Sequence, residues 1–137
     1  MKEIVIPAEK ERLDEVLAFV DGILEEYECP MPTQMSIDIA VEEIFVNIAS
    51  YAYNPAVGSA SIRCTVENDP LRVVIEFRDG GVPYDPLAKP DPDINAPIEE
   101  RDVGGLGIYM VKNSMDSVSY RHEDGKNIFT IEKKLTE

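Results

Sequence analysis

Residues 101–116 read RDVGGLGIYMVKNSMD. Three glycines, Gly104, Gly105 and Gly107, crowd into four positions, and an amphipathic helical pattern follows at once. Glycine is costly inside a helix, but just before one it lets the backbone come close to a ligand. A helix start also leaves N–H groups unpaired at the positive end of its dipole, an arrangement that suits phosphate. The stretch therefore reads either as a hinge running into a helix or as a phosphate cradle. It is not a Walker loop, because no Gly-Lys-Ser/Thr follows. Nor is it a dinucleotide fingerprint, because no strand immediately precedes it and the spacing is GGxG.

Upstream lies GGVPYDPLAKPDPDINAPIEERDVGG, which holds five of the chain's ten prolines and many acidic residues. Irregular segments this long inside one domain commonly serve as lids or binding loops, and a lid is expected over about residues 82–104. Before it, EFRDGGVPYDP ends an apolar strand at Asp79, with Gly80 and Gly81 next. This is either a plain Asp-Gly turn or a carboxylate fixed at a strand end to accept from an exocyclic amine such as that of adenine. In the second reading Gly81 leaves room for a flat base.

The rest of the chain falls into elements around these two points. KEIVIPA alternates as a first strand, and Leu13, Val16, Leu17, Val20, Ile23 and Leu24 have helical spacing within a helix expected from Ala8 to about Tyr27. Pro30 and Pro32 break the chain, and Thr33 is the expected cap of a second helix reaching about Tyr53. ASIRCTVEN and LRVVIEFRD read as an antiparallel hairpin about the turn NDP. After the lid come a helix from Leu106 to about Met115 and a strand pair, SVSYRHED and NIFTIEKKL, turning at Gly125. Helices and strands do not alternate regularly. This favours an α+β, two-layer sandwich, with a mixed, mostly antiparallel sheet and its helices on one face, as a single domain over residues 1–137.

Thirteen basic against 27 acidic side chains give a formal charge of −14, which argues against general nucleic-acid binding and against an anionic membrane surface. It does not forbid a single nucleotide, which needs only a local site and a cation. No apolar run is long enough for a membrane span, and the opening residues lack the apolar core of a leader; a cytoplasmic location is expected. Cys29 and Cys64 have no metal-ligand spacing and are expected to be free thiols rather than a disulfide. His122, the one histidine, falls in a strand–turn region as a surface residue.

The second helix carries VEEIFVNIASYAYNP. Its Glu43 and Asn47 stand four apart and so share a helical face, beside the apolar row Ile37, Val41, Ile44 and Ile48. Asparagine is a poor helix-interior residue because its amide competes for backbone hydrogen bonds. The pair is either a solvated Glu–Asn neighbourhood or a carboxylate base beside an amide oxygen that binds a metal.

Taken in order, Glu-x-x-x-Asn on a helix, Asp-x-Gly at a strand end, a lid, and Gly-x-Gly opening a helix resemble the GHKL ATPase superfamily, the Bergerat ATP-binding fold. EEIFVNIASYAY, RDGGVPYDP and GGLGIYMVKNSMDSVSY are similar to the boxes of its small anti-sigma factor serine/threonine kinases. The resemblance covers essentially the whole chain, and it implies roles for individual residues. Glu43 would be the catalytic base, and Asn47 would bind ATP through Mg²⁺. Asp79 would accept from the adenine amine above Gly81. Gly104, Gly105 and Gly107 would present amides to the phosphates of ATP or ADP, with Arg101 adding charge.

This chain departs from the family in several places. A His-Gly pair often follows the asparagine box, where Tyr51-Ala52 stands here, and a Gly-Thr pair commonly supplies an adenine-side hydroxyl after the last turn. Here Gly125-Lys126-Asn127 follows that turn; Thr130, further along, is carried over as the ATP-binding residue, with Asn127 the alternative in the hydroxyl's place. Arg12 is the nearest counterpart of a first-helix arginine that contacts the antagonist. The resemblance implies a kinase that phosphorylates a serine of a STAS-type anti-anti-sigma protein and sequesters a sigma factor, with homodimerisation. The alternative is a regulatory module that reads nucleotide state without significant phosphotransfer. A stand-alone histidine kinase is disfavoured, since no phosphoacceptor helix is evident.

Overall fold

Alternation along the strand Arg72–Asp79 (β3) fixes which way the sheet faces. Val73, Ile75, Phe77 and Asp79 are buried and the residues between them only partly so, as the two-residue repeat of a strand requires. The computed structural model describes residues 1–52, 58–88 and 105–135. Within them β3 is the middle strand of a five-stranded sheet of order β1-β2-β3-β5-β4, where β1 is Lys2–Pro7, β2 is Ser59–Glu67, β4 is Ser117–Glu123 and β5 is Lys126–Lys134.

Every pairing in this sheet is antiparallel. The expectation is a mixed, mostly antiparallel sheet, and the pairing is antiparallel throughout for a simple reason. β3 and β4, joined by one helix, do run parallel, but β5 inserts between them and pairs antiparallel with both.

Three helices cover the inward face: α1 (Leu13–Glu26), α2 (Met31–Tyr51) and α3 (Gly105–Ser114). Val16, Val20 and Leu24 of α1 and Ile37, Val41, Ile44, Phe45 and Ile48 of α2 meet Ile62, Ile75, Phe77, Phe129 and Ile131 of the sheet in one core. Burying such side chains stabilises by about 1.5–3 kcal/mol each. This α+β two-layer arrangement is the one expected.

The helix starts differ by a few residues from the sequence reading. The Ala8 N–H donates to the Gly58 carbonyl at 2.8 Å, which holds the chain extended, and a 3₁₀ turn at Lys10–Arg12 precedes α1. Arg12 ends that turn and pairs with Glu15 at 2.8 Å. In α2, Pro30 is the N-cap and Pro32 sits in the first turn, where a missing N–H costs nothing. Thr33 therefore lies inside the helix rather than capping it.

Both cysteines are free thiols, and burial pushes Cys64 up to about 11, which makes it an inert core residue. His122 is exposed on β4. No helix among the described residues is long and apolar enough to cross a membrane. Of the lid expected at 82–104, residues 82–88 are described, with a 3₁₀ turn at Pro86–Ala88. The rest of it lies outside the described residues.

Candidate functional site

Asp79 is the last inward residue of β3, a carboxylate at the end of an apolar row and only 6% exposed. Register decides its neighbours on the sheet: Ala60 of β2 on one side and Asn127 of β5 on the other. Its Oδ1 accepts from the Gly81 N–H at 3.0 Å and from Asn127 Nδ2 at 2.9 Å. The first bond is the local closure expected of Asp before a turn; the second fixes the carboxylate from across the sheet.

Asn127 is itself 6% exposed and fully used. Its Nδ2 also donates to the Val82 carbonyl at 2.8 Å, while its Oδ1 accepts from the Tyr84 N–H at 3.3 Å and from the Tyr120 hydroxyl. Acceptors surround the nitrogen and donors the oxygen, so this network allows one amide orientation. Thr130, the residue expected from sequence to bind ATP, pairs in register with Glu76. It therefore falls on the sheet face away from the helices, where its buried Oγ1 has no hydrogen-bond partner. At Asp79 the structure places Asn127.

Gly81 meets the end of α2. A Cβ on it would lie 2.1 Å from the Ala52 carbonyl oxygen and 2.7 Å from the Ala52 Cβ, and the Val82 N–H donates to that carbonyl at 3.1 Å. Ala52 is the C-cap of α2, whose last carbonyls lack helical partners. The glycine is thus required by backbone approach, and the Asp79–Val82 turn is stitched to the helix that carries Glu43 and Asn47.

At the other end of the site, Glu43 reaches α3. A Cβ on Gly107 would lie 2.1 Å from Glu43 Oε2 and 2.8 Å from Glu43 Cδ, so the carboxylate rests on the bare backbone of the first turn of α3. Two residues far apart in sequence are brought together here. Gly105 is the first residue of α3, and its N–H belongs to the turn whose amides have no helical acceptor. Asn47 follows Glu43 by one turn and is half-buried. Gly104 and Arg101 lie outside the described residues.

Of the residues singled out in the sequence, Glu43 lies against Gly107, Asp79 accepts from the Gly81 N–H, and Gly105 opens α3. Val82 and Tyr120 carry no signal in the sequence reading, and Ala52 enters it only as a departure from a His-Gly pair. Only the alternation of Val118, Tyr120 and His122 toward Ile131, Phe129 and Asn127 could have flagged Tyr120.

A profile of the histidine kinase-like ATPase domain family matches residues 6–133. The chain is similar to the serine-protein kinase RsbW of Bacillus mycoides (strain KBAB4), 28% identical over 130 residues, covering 92% of this chain and 80% of that one. It is also similar to the serine/threonine-protein kinase BtrW of Bordetella bronchiseptica, 26% identical over 98 residues, covering 72% of this chain and 68% of that one. The Acinetobacter baumannii histidine kinase AdeS aligns over 100% of this chain and 70% of its own, at 12% identity and a TM-score of 0.47. With the family profile spanning nearly its full length, the chain belongs to the histidine kinase-like ATPase domain family of GHKL type.

Proposed function

We propose that this protein is an ATP-dependent serine/threonine kinase of the anti-sigma type. It would phosphorylate a serine of a STAS-type anti-anti-sigma partner and sequester a sigma factor when that partner is modified. One observation carries the reading: α2 joins an acceptor fixed in the sheet to a carboxylate seated on α3. Ala52, against the Asp79 turn, and Glu43, against Gly107, are nine residues apart on α2, about 13 Å at 1.5 Å per residue. That separation suits a ligand with a base at one end and a polyphosphate at the other.

In this reading Asp79 accepts from the exocyclic amine of adenine, held by Asn127 so that its carboxylate does not turn. Gly81 lets the turn that holds Asp79 close against α2, while Gly104, Gly105 and Gly107 offer amides to the phosphates and Arg101 adds charge at the lid. Glu43 takes the proton from the substrate serine hydroxyl as its oxygen bonds to the γ-phosphorus and ADP leaves.

Among the described residues no group of three or more His, Cys, Asp or Glu side chains could hold a metal ion. The half-buried Asn47 amide oxygen, a hard donor, would hold a Mg²⁺ brought in with the nucleotide. When bound, that ion supplies charge neutralisation of the phosphates. Residues 82–104 form the lid, the chain works in the cytoplasm, and a homodimer is the expected assembly.

The test combines binding and transfer. Saturating Mg-ATP should raise the melting temperature of the wild type, and radiolabel from γ-labelled ATP should pass to a STAS-type protein from the same organism. Glu43→Ala should keep the first response and lose the second. Absence of any ATP-dependent stabilisation would refute the nucleotide reading. Stabilisation without transfer would replace the kinase by a module that only reads nucleotide state.

A further inference from the structure

α2 is apolar on two faces. The inward row builds the core; the outward one carries Met31, Met35 and Ile39, which are 63%, 57% and 46% exposed. Spaced four apart, they stack on consecutive turns over about 12 Å of helix, and beyond Glu42 the same side carries the half-buried Val46. Isolated exposed apolar residues are ordinary, but a continuous stripe of this length marks an interaction surface. Two of its members are methionines, whose flexible thioethers adapt to varied partners.

Charge identifies what fits. From Leu13 to Ile62 the chain has nine acidic residues and no Lys, Arg or His. Glu42 stands just beyond the stripe, Glu43 flanks it, and α1 adds Glu25. Two copies meeting through this face would bring like charges together, which costs association, and nucleic acid is repelled outright.

We propose that the outward face of α2 docks a basic amphipathic helix of a partner protein. Its apolar side would lie on Met31, Met35 and Ile39, and its Lys and Arg residues against the acidic rim. The stripe ends at Ile39, one turn before Glu43, so the docked helix would lie on the same rigid rod as the proposed base.

An 18-residue labelled peptide of leucine and lysine, with leucines at helical i, i+3, i+4, i+7 spacing, tests this by fluorescence anisotropy with the full chain. The triple variant Met31→Ser/Met35→Ser/Ile39→Ser should weaken binding at least tenfold. Val5→Ser, at a 64% exposed position on the opposite sheet face, should leave it within twofold. Glu42→Lys keeps the apolar residues and should still weaken binding several-fold. Urea midpoints should confirm that every variant folds. Raising salt from about 50 to about 300 mM should weaken binding several-fold.

Four results would each overturn the proposal. The lysine peptide could fail to bind, or a peptide with glutamate for lysine could bind equally well. The triple variant could bind as the wild type does, which would mean adsorption by net charge alone. Finally, sedimentation could show the triple variant turning a wild-type dimer into monomers, which would make the stripe a self-interface.

Discussion

Replacing Gly107 with alanine puts a methyl group where the Glu43 carboxylate now rests. The new Cβ would stand 2.1 Å from Oε2, 2.8 Å from Cδ and 3.5 Å from Cγ. Ordinary carbon contacts begin near about 3.5 Å, so the carboxylate must retreat by more than about 1 Å. It can do so cheaply, because Glu43 is exposed and its terminal torsions turn at a cost of about 1 kcal/mol. Alanine in place of glycine within a helix returns about as much. Stability by urea denaturation should therefore stay within about 1 kcal/mol of wild type. The proposed base, however, leaves its place, and a displacement of that order costs about a hundredfold in rate. We expect phosphotransfer to fall about a hundredfold, while stabilisation by Mg-ATP drops only a few-fold. Adding Glu43→Asp, whose side chain is one methylene shorter, should recover part of the rate. Unchanged transfer in Gly107→Ala would refute the view that Glu43 acts from this slot. A loss of more than about 3 kcal/mol in stability would show that the contact is rigid rather than yielding.

Gly81→Ala makes the opposite case, because its Cβ would meet backbone, the Ala52 carbonyl at 2.1 Å. It should destabilise the fold by about 3 kcal/mol in urea titrations, and a neutral result would contradict the close approach. Asn127→Ala strands the Asp79, Val82 and Tyr120 groups that Asn127 satisfies and should cost about 2–3 kcal/mol. Tyr120→Phe should cost about 1 kcal/mol, and the double variant should be less than additive. Full additivity would dissolve the network. Asp38, facing Asp21 and Glu25 of α1, is held up to about 7 by burial first, then by the hydrogen bond and charge of Asp21. An unfolded Asp38 titrates near 3.8, so the folded chain holds the extra proton between these values. Its contribution therefore makes stability fall as pH rises from about 4 to about 7, by about 1–2 kcal/mol once solvent screening is allowed for. Asp38→Asn should remove that fall and gain about 1 kcal/mol at pH 8. Equal pH slopes in the two proteins would count against the shared proton.

What the sequence reveals and what it hides follow from how far each contact reaches along the chain. Glu43 and Asn47 are readable because helical spacing alone puts them on one side. Asp79 and Gly81 are readable because a strand end and a turn are local. The choice between Asn127 and Thr130 is not local. It depends on the register of β5 against β3, and a slip of one residue would exchange the faces of every side chain. Ala52 is silent for a similar reason: its role rests on a carbonyl at a helix end meeting a glycine 29 positions later, a contact no side-chain pattern records. The wholly antiparallel sheet was likewise hidden, since nothing in the spacing of the last two strands says that β5 rather than β4 lies beside β3.

α2 helps explain why the site and the proposed docking face should act together. Its inward row is locked into the core, so the helix cannot rotate without exposing Ile37, Val41, Ile44 and Ile48. Its C-terminal end is tied to the Asp79 turn through Val82 and Ala52, and Glu43 is wedged against α3 at Gly107. A force applied by a partner at Met31, Met35 or Ile39 therefore passes to Glu43 through rigid backbone, and the softest contact along that line is the carboxylate on Gly107. Coupling between partner and proposed base should then show itself in the position of Glu43 rather than in the Asp79 turn. In Gly107→Ala, where the carboxylate has already been displaced, the lysine peptide should bind as it does to wild type yet no longer alter the rate of transfer. A peptide that still changed the rate in that variant would mean that the two sites communicate by a route other than the carboxylate on Gly107.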